Sequence, residues 1–178
     1  MRKILVVLAT ALVIAGGLTY LGSSFATQTV SDQLSAQKIK FPEKADWEKS
    51  CSAEKTDATK NKCLSLISHA GVKVDNGTEA KAYSEYIGGH LEKIASGQTY
   101  SEVSTAYQKD KSNQALSGQR QSLFMGETLR GLLLNAWGWG LIGTIALYAS
   151  YAMFAAAILV YVVALYPVSK KSARKSRK

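Results

Sequence analysis

The stretch "GWGLIGTIALYASYAMFAAAILVYVVALY", Gly138 to Tyr166, decides how this chain is read. Its first six residues have the G-x-G-x-x-G spacing of a dinucleotide-binding turn, carried by Gly138, Gly140 and Gly143. That spacing has chemical meaning only where a strand hands over to a helix, because backbone must approach a pyrophosphate at the helix N-terminus. What surrounds it argues for lipid instead. The 39 residues from Gly131 to Ser169 contain no Asp, Glu, Lys, Arg or His. About 20 apolar residues cross a hydrocarbon core, so the run is read as a membrane-spanning helix with length to spare. A dinucleotide fold also wants an acidic residue about 20 positions on, to hold the ribose. Val160 to Ala164 offer none. The glycines are then small residues that let a neighbouring helix approach closely. Trp137 and Trp139 beside them suit the headgroup layer.

Outward from this run, charge is distributed unevenly. The chain of 178 residues carries a formal net charge of +9, which by itself invites a nucleic-acid reading. All 13 acids, however, lie between Asp32 and Glu127, and residues 27–130 hold 14 of the 22 basic residues. That middle region is therefore near neutral, and no nucleic-acid partner is expected. The excess is terminal: Arg2 and Lys3 at one end, and Lys170, Lys171, Arg174, Lys175, Arg177 and Lys178 at the other. Basic residues beside an apolar segment contact anionic lipid and hold that end in the cytoplasm.

A second apolar segment, ILVVLATALVIAGGLTYLG, runs from Ile4 to Gly22 behind the basic MRK. A signal peptide has an apolar core of about 7 to 15 residues and a small-x-small cleavage site, and Ser24-Phe25-Ala26 has that form. The apolar run is nearer the length of a spanning helix, and a retained helix is the favoured reading. Two spans with both basic ends inside place the middle region outside. The expected organisation is an N-terminus at 1–3, a transmembrane helix at 4–26, and an extracytoplasmic helical domain at 27–130. An interfacial and transmembrane helix at 131–167 and a basic cytoplasmic tail at 168–178 follow. The fold class is thus an all-α membrane protein of the plasma membrane, with two transmembrane helices flanking a small helical domain. Small residues at Ala9, Ala15, Gly16 and Gly17, and at Gly138, Gly140, Gly143, Ala146 and Ala149, suit helix–helix contact.

Cys51 and Cys63 fall in the expected outer region. An even count on an oxidising side reads as a disulfide. Eleven intervening residues fit neither a C-x-x-C redox pair nor a zinc knuckle. In the rest of the domain the pattern is helical. TEAKAYSEYIGGHLEKIAS places Tyr83, Tyr86, Ile87, Leu91 and Ile94 on one face, with Thr78 as the expected N-cap and Gly97 as the stop. Thr99 to Glu102 form a capping box, with Val103, Ala106 and Tyr107 turned inward. Pro42 marks a break, before which Val30 and Leu34 could extend the first membrane helix. KDKSNQALSGQRQ has no clear pattern, and helical periodicity resumes at Leu123. Asn76-Gly77-Thr78 is a glycosylation sequon in form, but reads first as a turn and helix cap. Few Leu, Ile and Phe lie between 40 and 125, so the core is expected to be thin and to lean on the disulfide, the membrane helices or a partner.

Candidate chemistry is sparse. His69 and His90 lie too far apart for an H-x-x-x-H metal pair. The acids are scattered singly, and no metal or cofactor is expected. Glu127 and Arg130, three apart, share a helix face beside the second span. They read as a local salt bridge, or as a docking point for another protein or the first helix.

Three segments carry a family resemblance: VSDQLSAQKIKFPEKA, AKAYSEYIGGHLEKIASGQTYSEV and QSLFMGETLRGLLLNAWGWGLIGTIAL. Together they cover most of residues 28–150. The chain resembles a family of small actinobacterial two-span membrane proteins often labelled "aromatic ring-opening dioxygenase". That family shows a Gln-Leu…Ile…Pro segment, a helix with His before a Gly-x-Thr-Tyr-x-Glu turn, and a Leu-Arg motif leading into the last span. His90 and Tyr100 match the motif. The cysteine-bearing stretch with His69 is where this chain departs from it. The resemblance implies membrane location and two-span architecture. Its label implies non-haem iron, for which His90 with Glu85 or Glu92 is the concrete donor set. The residues themselves favour a non-catalytic accessory or scaffolding subunit of a plasma-membrane or cell-envelope complex, in contact with lipid and with other subunits or a second copy. A ligand-sensing outer domain is the further alternative.

Overall fold

A computed structural model describes residues 2–54 and 57–166. The basic tail, with Lys170, Lys171, Arg174, Lys175, Arg177 and Lys178, lies outside the described residues. Among the described residues six α-helices follow in order: α1 (Arg2–Ala36), α2 (Lys44–Ser52), α3 (Asp57–Leu64), α4 (Gly77–Ile94), α5 (Tyr100–Lys109) and α6 (Gln114–Leu165). A single 3₁₀ turn, Ile67–His69, separates α3 from α4. No strand occurs among the described residues; one antiparallel bridge joins Lys40 and Lys73. The fold class is all-α, and α1 and α6 are both long and apolar enough to cross a membrane.

The chain divides into two compact units. One comprises Met1–Ser24 and Thr144–Lys178, the other Phe25–Gly143. In the first, α1 and α6 run antiparallel, since Arg2 Nε donates to the Ala164 carbonyl at 2.8 Å and Thr10 Oγ1 lies 2.7 Å from the Tyr161 hydroxyl. The buried positions are small and recur every seven residues: Ala9, Gly16 and Ser23 on α1, and Ser150, Ala157 and Ala164 on α6. A seven-residue step is shorter than two ideal helical turns and keeps one seam facing its partner. Small side chains along it allow close approach. Gly16 shows how close: a Cβ there would stand 3.0 Å from the Phe154 ring.

The second unit has two adjoining cores. The larger is assembled from Val30 and Leu34 on α1, Phe41, Trp47 and Cys51 around α2, Val74, Ala80 and Ala82 at the start of α4, and Leu133 on α6. The smaller joins Leu91 and Ala95 of α4 to Val103 of α5 and Leu123 of α6. Backbone bonds tie Ile39–Pro42 to Gly71–Val74: Phe41 N donates to Val72 O, Val74 N to Ile39 O, and Gly71 N to Pro42 O. Gly71 turns there with φ +71, a conformation that favours glycine.

Helix ends explain several boundaries. Asn76, not Thr78, caps α4, its side chain accepting from Glu79 N at 3.0 Å. The cap therefore lies two residues earlier than the sequence predicts; Asn is as strong a cap as Ser or Asp. Thr99 and Glu102 form the expected capping box on α5. Gly97, with φ +80, follows the end of α4, and its N–H bonds back to Glu92 O. The patternless segment after Lys109 is not a loop throughout. Asn113 Oδ1 accepts from Leu116 N, and α6 begins at Gln114, nine residues before the periodicity becomes visible.

Candidate functional site

The core of the second unit is aromatic. Phe41 stacks on Trp47 with ring centroids 5.6 Å apart, and meets Tyr83 edge-on at 5.0 Å. Trp47 meets Tyr86 edge-on at 5.0 Å. These rings come from three separate segments: helical spacing sets Tyr83 and Tyr86 on one face, but nothing local brings Phe41 and Trp47 to them, and Trp and Tyr supply bulk that a count of Leu, Ile and Phe omits. Burial in this cluster pushes the Tyr83 and Tyr86 phenols above their usual range, Tyr86 also through its proximity to Tyr83. His69 stacks on Phe41 at 5.4 Å, and its Nδ1 lies 2.7 Å from Glu79 Oε2. The imidazole thus links the 3₁₀ turn to the first turn of α4.

Cys51 and Cys63 are joined as a disulfide, with Cα atoms 5.6 Å apart. The bond staples α2 to α3. Trp47 and Cys51 give α2 one apolar face, buried in the aromatic core.

Glu127 and Arg130 form a bidentate contact, Arg130 Nη1 lying 2.9 Å from each Glu127 carboxylate oxygen. Arg130 Nε also donates to the Ser84 carbonyl of α4 at 3.1 Å. Arg130 therefore holds α6 against α4, while its salt bridge with Glu127 is local to α6. Gly88 makes room, because a Cβ there would lie 3.1 Å from the guanidinium carbon. Gly126 serves a similar role, as a Cβ would stand 2.5 Å from Leu91 Cδ2. Gln119 Nε2 donates to the Ile94 carbonyl, satisfying one of the open groups at the end of α4.

The glycines of the opening fingerprint lie within the uninterrupted α6, where no strand-to-helix turn exists to cradle a phosphate. Gly140 does serve a close backbone approach, but to a protein chain: its Cβ would lie 3.3 Å from the Gly77 Cα at the start of α4. Gly143 is buried. A Cβ added at Gly17 or Gly138 would meet no neighbouring atom within 4 Å. Trp137 sits under Lys81, whose ammonium is 5.0 Å from the ring centroid, while Trp139 is exposed. Arg2, expected at lipid, spends one donor on a carbonyl near the α6 end, a favourable place for a cation. Lys3 is exposed.

A groove of about 1220 Å³ runs beside α4, lined by Lys62, Tyr86, His90, Tyr100, Glu127 and Arg130 among others. His90 Nδ1 is 3.0 Å from the Tyr86 carbonyl, and the residue is exposed. The acids considered with His90 are engaged elsewhere: Glu92 with Lys62, and Glu85 with Lys81 at 4.0 Å. No three His, Cys, Asp or Glu residues converge as a metal site among the described residues. Glu54 pairs with Lys93, which holds its carboxyl below the usual range. A second groove, about 700 Å³ and mostly apolar, lies between the latter part of α1 and the middle of α6. Comparison with family models, with curated proteins and with solved structures finds no match for the chain.

Proposed function

We propose that the chain is a two-span plasma-membrane protein whose small helical domain stands on the extracytoplasmic side and acts as an accessory or scaffolding subunit of a membrane or envelope assembly. One observation carries the reading. The apolar windows of α1 and α6 are only 11% buried within the chain. A core helix of a water-soluble protein hides its apolar surface in its own fold; these two leave it for another solvent. The antiparallel pairing of α1 and α6 supports a hairpin, the basic termini support a cytoplasmic location for both ends, and the disulfide supports an oxidising location for the domain. The family resemblance points the same way.

A scaffolding role fits a domain whose conspicuous charges are spent within it, Arg130 on Glu127 and on the Ser84 carbonyl, and Lys93 on Glu54. Solubilisation in mild detergent, affinity capture of the full chain and mass spectrometry test the role. A stoichiometric membrane partner is expected. Recovery of the chain alone at every detergent strength contradicts it. The groove along α4 favours a second reading, an outer domain that senses a small polar ligand; a thermal-shift screen that raises the melting temperature with one ligand class would replace the scaffold reading.

A further inference from the structure

We infer that the apolar groove between α1 and α6 holds one acyl chain of a bilayer phospholipid, drawn up alongside the outer domain. This rests on the two-span reading above. The floor is formed by the buried Val30, Leu34 and Leu133, and the walls by the exposed Leu129 and Leu132. Phe25 and Trp139, both well exposed, stand at one end. The polar groups of the lining are Thr29, Gln33, Gln37 and Asn135. An apolar trough with a few convergent polar groups and a volume of some hundreds of cubic ångströms is the usual form of a small-ligand site.

Three features choose a lipid chain over another occupant. No charged residue lines the groove, and its polar groups are neutral amides and a hydroxyl. Such groups suit ester carbonyls and glycerol oxygens, and they offer a protein helix no ion pair to fix its register. The length is right: from Phe25 to Gln37 α1 rises about 18 Å at 1.5 Å per residue, close to the roughly 15 Å of one leaflet of the hydrocarbon core. The lining is also continuous with membrane-type sequence. On α1 no charge occurs between Lys3 and Asp32, and on α6 Leu132 to Trp139 belong to the charge-free run that begins at Gly131. Asp32 and Arg130 fall within these segments but not in the lining, so a chain leaving the bilayer at Phe25 and Trp139 lies against uncharged side chains.

The test uses the full-length protein in phosphatidylcholine vesicles doped with a phosphatidylcholine bearing a photoactivatable diazirine near the end of one acyl chain. Peptide mass spectrometry locates the adducts. Adducts are expected at Leu129 to Leu133 and at Val30 to Leu34, in addition to bilayer-facing residues such as Ile145 and Leu159. Thr29→Trp places an indole in the groove from an exposed position. Excluding two or three methylenes lowers the groove adducts roughly ten- to fiftyfold, while those at Ile145 and Leu159 and the helical circular dichroism stay unchanged. Leu129→Trp, from the opposite wall, produces the same loss. Adducts confined to the spans overturn the groove assignment and leave the membrane reading standing. Adducts nowhere overturn both. Leu132→Cys treated with oxidant in the same vesicles tests the rival occupant: an interchain disulfide shows a second copy at the groove and overturns the lipid occupant.

Discussion

Ile158 and Leu159 are 63% and 66% exposed, whereas Phe41 and Trp47 are 1% and 2% exposed. All four are large and apolar, so the difference lies in where each unit finds its apolar solvent. The second unit supplies its own, folding rings from three segments against a disulfide. The first keeps only Ala, Gly and Ser along its internal seam and turns Ile, Leu and Val outward. That inversion is the arrangement suited to lipid, where apolar packing between helices gains nothing over apolar packing against acyl chains. The contrast teaches that side-chain size, not hydropathy, marks the packing face of the first unit, and ring content marks that of the second.

The contrast can be broken most strongly at Trp47. Trp47→Ala removes a buried indole between Phe41 and Tyr86 and is expected to cost about 3–5 kcal/mol, read by chemical denaturation of the protein in detergent. Replacing both cysteines, Cys51→Ser with Cys63→Ser, opens a short loop and costs about 3 kcal/mol. The loss should appear in the melting of the second unit and leave detergent partitioning unaltered. In the first unit, Ala157→Leu crowds the seam and is expected to cost about 1–3 kcal/mol, seen as weakened cross-linking between cysteines placed on α1 and α6.

Alkali offers a reagent-free version of the same contrast. Tyr83 and Tyr86 have phenol pKa values raised by burial. Their contribution is fully present below the unfolded value of about 10 and is lost as pH rises through the higher folded value. The second unit should therefore lose stability above about pH 10, and Tyr83→Phe with Tyr86→Phe should flatten that limb. Smallest of all is Leu159→Ala. It exposes no cavity within the chain, and its effect on melting should stay within about 0.5 kcal/mol; a cost as large as that of a core leucine would mean that the first unit buries this face against protein.

The sequence made legible those features written in local terms. The two apolar runs, the Thr99–Glu102 box and the Gly97 stop each rest on residues a few positions apart. The disulfide was legible by elimination, there being only two cysteines. What escaped was non-local or faint. Phe41, Trp47, Tyr83 and Tyr86 meet only after α2 and α4 have docked, and Arg130 finds Ser84 from 46 residues away. The first turns of α6 bury little beyond Leu116, which is partly buried, so this polar start of the helix carries no apolar periodicity. The seam at Ser150, Ala157 and Ala164 was missed by one residue, because Ala149 and Ala146 looked equally small and only the seven-residue step singles out the buried row.

Site-directed thiol labelling in intact cells tests the central claim most directly. With the native cysteines oxidised, single cysteines are introduced at exposed Ser101 on α5 and at Ser172 in the basic tail, and treated with a membrane-impermeant maleimide. The account predicts that Ser101→Cys reacts at once and Ser172→Cys reacts only after the membrane is permeabilised. Reaction at Ser172→Cys in intact cells, or protection of Ser101→Cys, would contradict it.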